Sequence, residues 1–104
     1  MKVRIPFKFR FSEQMLTGVK TATSRTKRYG NAGDTFDAFG REFELTDVYQ
    51  DTLEVVAHDL WREEGCFASS HFEDVWRSIH PLKGFVPDQV VWVHKFKEKE
   101  NDKT

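Results

Sequence analysis

The first eleven residues place the strongest constraint on the fold. Val3, Ile5, Phe7, Phe9 and Phe11 alternate with Arg4, Pro6, Lys8 and Arg10. A period of two gives one aromatic face and one basic face, so the pattern predicts a strand whose aromatic side must be buried. Pro6 has no amide proton to offer a ladder, which puts part of that strand at an edge or a bulge. Ten Phe and three Trp in 104 residues supply much apolar area from few side chains. That suits one modest core in a single, tightly curled domain.

Further along, Ser12 is expected to cap a short helix through Leu16, with Gly18 as its left-handed stop. Lys20–Arg25 reads as a threonine-rich strand. Thr35–Phe39 and Glu42–Tyr49 read as a hairpin about Gly40-Arg41, and Thr52–Ala57 as another strand. His58–Gly65 reads as a short helix. Ser70 and Glu73 have capping-box spacing, and Phe72, Val75, Trp76 and Ile79 form the apolar stripe of a helix that Pro81 ends. Val90–Val93 run into His94 and Phe96 with apolar residues on both faces, the mark of a central strand. By periodicity Trp76 and Trp92 belong to the core. Many short strands with small helices between them predict an α+β domain, a small, mostly antiparallel curled barrel with two or three flanking helices. The domain is expected over residues 1–97, with 98–104 as a polar, frayed tail.

The formal net charge is -1, so the chain has no global basic field and any nucleic-acid contact must come from a local patch. Cys66 is the lone cysteine, which rules out an internal disulfide and fits a reducing, cytoplasmic setting. No apolar run approaches a membrane span. His58, His71, His80 and His94 have no close pair with ligand spacing, so neither a metal nor another cofactor is expected. A monomer is the working assumption.

The chemistry-bearing stretch is Gly18-Val19-Lys20-Thr21-Ala22-Thr23-Ser24-Arg25. It packs a turn glycine, two cations and three hydroxyls between far more apolar segments. On a straight strand Lys20 and Thr23 would face opposite sides, so a direct pair requires a bend or bulge between them. Arg25, Lys27 and Arg28 beside Tyr29 suit phosphate contact with base stacking. Solvated cations and β-forming threonines account equally well for these residues. Trp61 and Phe67 flank Glu64 and are candidates to stack on a flat base or to anchor the core. Cys66 has no evident base partner and reads as a small buried hydrophobe.

The string Gly18-x-Lys20-Thr21-x-Thr23-x-Arg25, followed by Gly33-Asp34-x-Phe36, Glu64-Gly65, Trp76 and Ile79-His80-Pro81, resembles the ASCH domain family, most of all its small stand-alone prokaryotic members. The resemblance implies a PUA-like β-barrel with helices flanking a cleft, and an association with RNA. The YqfB-type branch of that family hydrolyses the amide of acetylated cytidine. Carried over by motif position, its catalytic set implies Lys20, Thr23 and Glu64 here, with Glu63 as the alternative to Glu64. Thr23 would attack the carbonyl and Lys20 would serve as base. Thr21, Arg25, Arg28 and Trp61 are the expected substrate contacts. The implied partner is a modified nucleoside or RNA; the alternative to catalysis is an RNA-binding module.

Overall fold

The computed structural model describes residues 1–99. Four antiparallel strands, β1 (Ala22–Arg25), β2 (Thr35–Ala38), β3 (Arg41–Thr52) and β4 (Val90–Glu98), form one sheet in the order β1-β4-β3-β2. The sheet curls into a half-barrel flanked by helices α1 (Ser12–Leu16), α2 (Leu53–Asp59) and α3 (Ser69–Ile79). The expected α+β class, the antiparallel curl, the β2–β3 hairpin and the central place of β4 are all present. β3 carries a register shift between Leu45 and Asp47, which increases local twist and helps the sheet to curl.

Several elements differ from expectation. The alternating segment 3–11 is not a strand. Its ladder pairing amounts to one isolated parallel bridge, between Lys2 just before it and Thr35, after which the chain tightens into a 3-10 turn at Phe9–Phe11. The alternation still turns Val3, Ile5, Phe7 and Phe11 further inward than Arg4, Pro6, Lys8 and Arg10, but Phe9, on the same face, is 81% exposed because the 3-10 turn carries it away from the core. Period two records which side faces the core and says nothing about whether a hydrogen-bonding neighbour exists. Thr52–Ala57 is likewise helical from Leu53. Thr52 Oγ1 accepts from the Val55 amide, and Leu53, Val56 and Ala57 point inward at helical spacing. β-Branching at Val55 and Val56 is outweighed by that cap and that burial.

The helix expected over 58–65 stops at Asp59. Residues 60–65 make successive turns that end at Gly65, whose φ of 88° only glycine adopts without strain. Neither serine caps its helix: α1 follows Phe11 and α3 follows Ala68, both without a side-chain cap. Glu73 pairs with Arg77 instead. β4 continues through Glu98, and the Lys99 amide donates to Glu42 O. The start of the expected tail therefore belongs to the sheet, and residues 100–104 lie outside those described. Among the described residues no helix is long and apolar enough to cross a membrane.

The core has two parts. Leu53, Val56, Ala57, Cys66, Phe72, Trp76, Val91 and Val93 pack between α2, α3 and the sheet. Ile5, Met15, Phe36, Phe43, Leu45 and Phe96 fill the curl on the other side. Phe36 is the hub of the second part, stacked on Phe7 (5.7 Å) and Phe43 (5.4 Å) and edge-on to Phe96 (5.5 Å). Phe36→Ala should cost about 3–5 kcal/mol, read as the shift in urea midpoint at constant slope. A loss under about 1 kcal/mol, the level of an ordinary substitution, would show that the ring cluster does not hold the curl.

Candidate active site

A cavity of ≈ 400 Å³ opens where residues of both core parts meet, and Lys20, Thr23, Ser24, Arg25 and Glu64 all line it. Its volume falls within the roughly 300–1,000 Å³ of small-molecule sites. Phe7, Phe11, Tyr29, Phe72 and Trp76 supply flat apolar walls, and His80 lies at its edge stacked on Trp76 at 4.2 Å.

The bend that the sequence demanded lies just before β1. Glu63 O accepts from two successive amides, Thr21 N (2.7 Å) and Ala22 N (2.9 Å). Successive amides of a strand point to opposite sides, so one carbonyl can take both only where the chain turns. The Lys20 amide donates to Gln14 O at 2.9 Å, which ties the turn to α1. Lys20 thus precedes the strand, freed from its alternation, and enters the same cavity as Thr23.

Lys20 is 3% exposed and Glu64 6%. Lys20 Nζ donates to Glu64 O at 2.8 Å and Ala22 O at 2.9 Å, and meets Glu64 Oε1 at 3.4 Å. Three acceptors match the three donors of an ammonium. Burial pulls the Lys20 pKa below its ordinary value, and the Glu64 carboxylate opposes that shift. The second carboxylate oxygen, Oε2, accepts from Ser24 Oγ at 2.6 Å. Gly65 lets the chain pass close to Lys20, for a Cβ there would come within 3.1 Å of the lysine Cβ.

Arg25 is held from three sides. Its Nε donates to Thr23 Oγ1 (3.0 Å) and its Nη2 to Pro6 O (2.7 Å), while its guanidinium lies 4.9 Å from the Phe7 ring centroid and 5.4 Å from that of Tyr29. Lys8, Lys20 and Arg25 face a single carboxylate, so the cavity is cationic within a chain of net charge -1.

Of the expected substrate contacts, only Arg25 reaches this cavity. Thr21 lines a separate groove beside α1, and its carbonyl accepts from the Phe96 amide. Arg28 stacks on Trp92 (5.0 Å), outside the cavity, and Trp92 is half-buried rather than core. Trp61 packs against the α2–α3 core with Arg62 over its ring. Glu63 contributes its carbonyl to the bend, so the carboxylate in the cavity is that of Glu64. Cys66 is buried and its thiol is pushed up to about 11 by desolvation, which leaves it inert.

Two residues to which the sequence assigns no role in the site matter here. Ser24 had no signal beyond its place in the polar string. His94 stood out only as a histidine in a valine-rich strand. It is fully buried, and its Nε2 accepts from the Tyr29 amide (3.0 Å), so Nδ1 carries the proton toward Thr23 O at 3.3 Å. It pins the Tyr29 loop to β1 beneath the cavity.

Three solved structures share this architecture. An ASCH domain from Lactobacillus crispatus superposes with a TM-score of 0.67 over 93% of this chain and 79% of that one, at 17% identity. The chain shares the fold of that ASCH domain. Protein EF3133 from Enterococcus faecalis matches at a TM-score of 0.64 and 20% identity, over 86% of this chain and 67% of its own. The hypothetical protein PH0355 matches at 0.68 and 13%, over 95% and 100%. No protein-family model matches the sequence, and no curated protein does. Identities this low carry the ASCH fold and leave the chemistry to the residues.

Burial lowers the His94 pKa, so the sign of its effect on stability follows. Below its unfolded value of about 6.5, the unfolded chain binds a proton that the folded state refuses. Stability should therefore fall as pH drops below about 6.5, by at most about 1.4 kcal/mol per unit, and level off below the folded pKa. Urea midpoints of the wild type and His94→Gln between about pH 5 and pH 7 check this, and equal slopes would refute it.

Proposed function

We propose that the cavity binds a modified nucleoside and hydrolyses an amide on its base. N4-acetylcytidine is the substrate to which the motif resemblance points. The observation that carries this reading is the buried Lys20–Glu64 pair, hydrogen-bonded to Ser24 and opening, with Thr23, onto an aromatic-walled cavity. Withdrawing two charges from water costs several kcal/mol per ion. Apolar residues would fill the site more cheaply, so a charged pair at a cavity wall supports a chemical role.

Amide hydrolysis needs a nucleophile, a group to take and return its proton, and donors for the developing oxyanion. Thr23 and Ser24 provide hydroxyls. Glu64, paired with Lys20, is the group to take and return the proton, and Arg25 with Lys20 supplies positive charge for the oxyanion. Phe7, Tyr29 and Trp76 offer flat faces for a pyrimidine ring.

Purified protein should convert N4-acetylcytidine to cytidine and acetate, followed by chromatography of the nucleosides. Lys20→Met and Glu64→Gln should each lower kcat/KM by about a hundredfold or more. Substrate left intact at high enzyme concentration between about pH 6 and pH 9 would overturn the reading.

A second reading, a non-catalytic RNA-binding module, rests on Lys27 and Arg28. Both are exposed, and they stack on Tyr29 and Trp92 beside the cavity. It predicts salt-sensitive RNA binding that Arg28→Ala weakens and Thr23→Ala leaves intact.

A further inference from the structure

We propose, building on the amide-hydrolase reading, that Ser24 is the nucleophile, with Glu64 as its base and Lys20 holding that base in place. A hydroxyl attacks a carbonyl only if its proton has somewhere to go, and the arrangement to look for is nucleophile, base and a third group that orients the base. Ser24 Oγ, Glu64 Oε2, Glu64 Oε1 and Lys20 Nζ form that chain, with contacts of 2.6 Å and 3.4 Å at its two ends. Lys20 is itself fixed by two backbone carbonyls, so the carboxylate has little freedom to rotate.

Thr23 stands differently. Its Oγ1 accepts from Arg25 Nε, and among the described residues no side-chain base hydrogen-bonds its hydroxyl. An oxygen receiving a guanidinium N–H is a weakened nucleophile, and its own O–H is left to donate. Thr23 therefore suits the developing oxyanion, with Arg25 behind it strengthening the donation.

The steps balance without an oxidant or a further reactant. Ser24 Oγ bonds to the acetyl carbon while its proton passes to Glu64 Oε2. The oxyanion collapses, the C–N bond breaks, and the departing nitrogen takes the proton from Glu64. Water then adds to the acyl-serine and gives a proton to Glu64. The ester C–O bond breaks, acetic acid leaves, and Ser24 recovers its proton.

The test is acyl trapping with p-nitrophenyl acetate and with N4-acetylcytidine, followed by acid quench and peptide mapping by mass spectrometry. One acetyl group is expected on Ser24. It should be absent from Ser24→Ala, which should lose about a hundredfold or more in kcat with KM little changed. Thr23→Ala should turn over more slowly yet still acquire the acetyl group on Ser24. Ser24→Cys, which puts a stronger nucleophile at the same position, should acylate and become sensitive to iodoacetamide, against the inert background of buried Cys66. An acetyl group on Thr23, or hydrolysis with neither hydroxyl labelled, overturns the assignment. So does a Ser24→Ala variant that keeps wild-type kcat. If p-nitrophenyl acetate labels Ser24 while N4-acetylcytidine is untouched, the nucleophile stands and the substrate reading fails. If neither reagent labels any residue and nothing is hydrolysed, both fail.

Discussion

The ion pair between Lys20 and Glu64 is the contact on which the arrangement of this molecule depends. Both side chains are almost wholly buried, and each charge is tolerable only because the other is there. The ammonium has three acceptors, and the carboxylate has Lys20 on one oxygen and Ser24 on the other. Such pairs are weak evidence for stability, since replacing both partners by apolar residues is often neutral, yet removing one strands a buried charge at a cost of about 3–5 kcal/mol. The pair thus constrains everything that brings its members together. Gly18 turns the chain after α1, Gly65 ends the turns after α2 with room beside Lys20, and Glu63 O gathers the two amides between them.

Around this pair the protein separates its apolar and cationic groups. Phe36, Phe43 and Phe96 fill the curl of the sheet, Phe72, Trp76, Val56, Val91 and Val93 fill the helix side, and the cavity lies at the seam. Cations at the seam are held by aromatic faces as much as by carboxylates: Lys20 over Phe11, and Arg25 over Phe7 and Tyr29. These contacts keep positive charge in a site with a single carboxylate. A net charge near zero for the whole chain conceals a local field suited to an oxyanion or a phosphate. His94 joins the two levels, a neutral imidazole that ties the Tyr29 loop to the strand carrying Thr23 and Ser24.

Much of the candidate site could be read from the sequence because it lies in one short string. Residue type makes Gly18–Arg25 conspicuous, motif position implies Lys20, Thr23 and Glu64, and these three with Arg25 line one cavity. Arg28 and Trp61 face elsewhere because a basic or flat side chain is equally at home on a stack or in a core, and Thr21 lines the groove on the α1 side of the bend. Ser24 belongs to the same polar string, but a serine beside a threonine carries no pattern that assigns it a role; only the approach of Glu64, forty residues away, gives it a partner.

By itself the sequence determined which faces are apolar, where glycines must turn the chain, the β2–β3 hairpin, α3, and a central final strand. These follow from local periodicity and backbone sterics, which act over a few residues. Whether an alternating segment has a neighbour to bond with, whether 52–57 coils or extends, and how Lys20 turns to face Glu64 were decided only in three dimensions. Hydrogen-bond partners and buried charge pairs belong to residues far apart in the chain, and their energies exceed the local preferences they override.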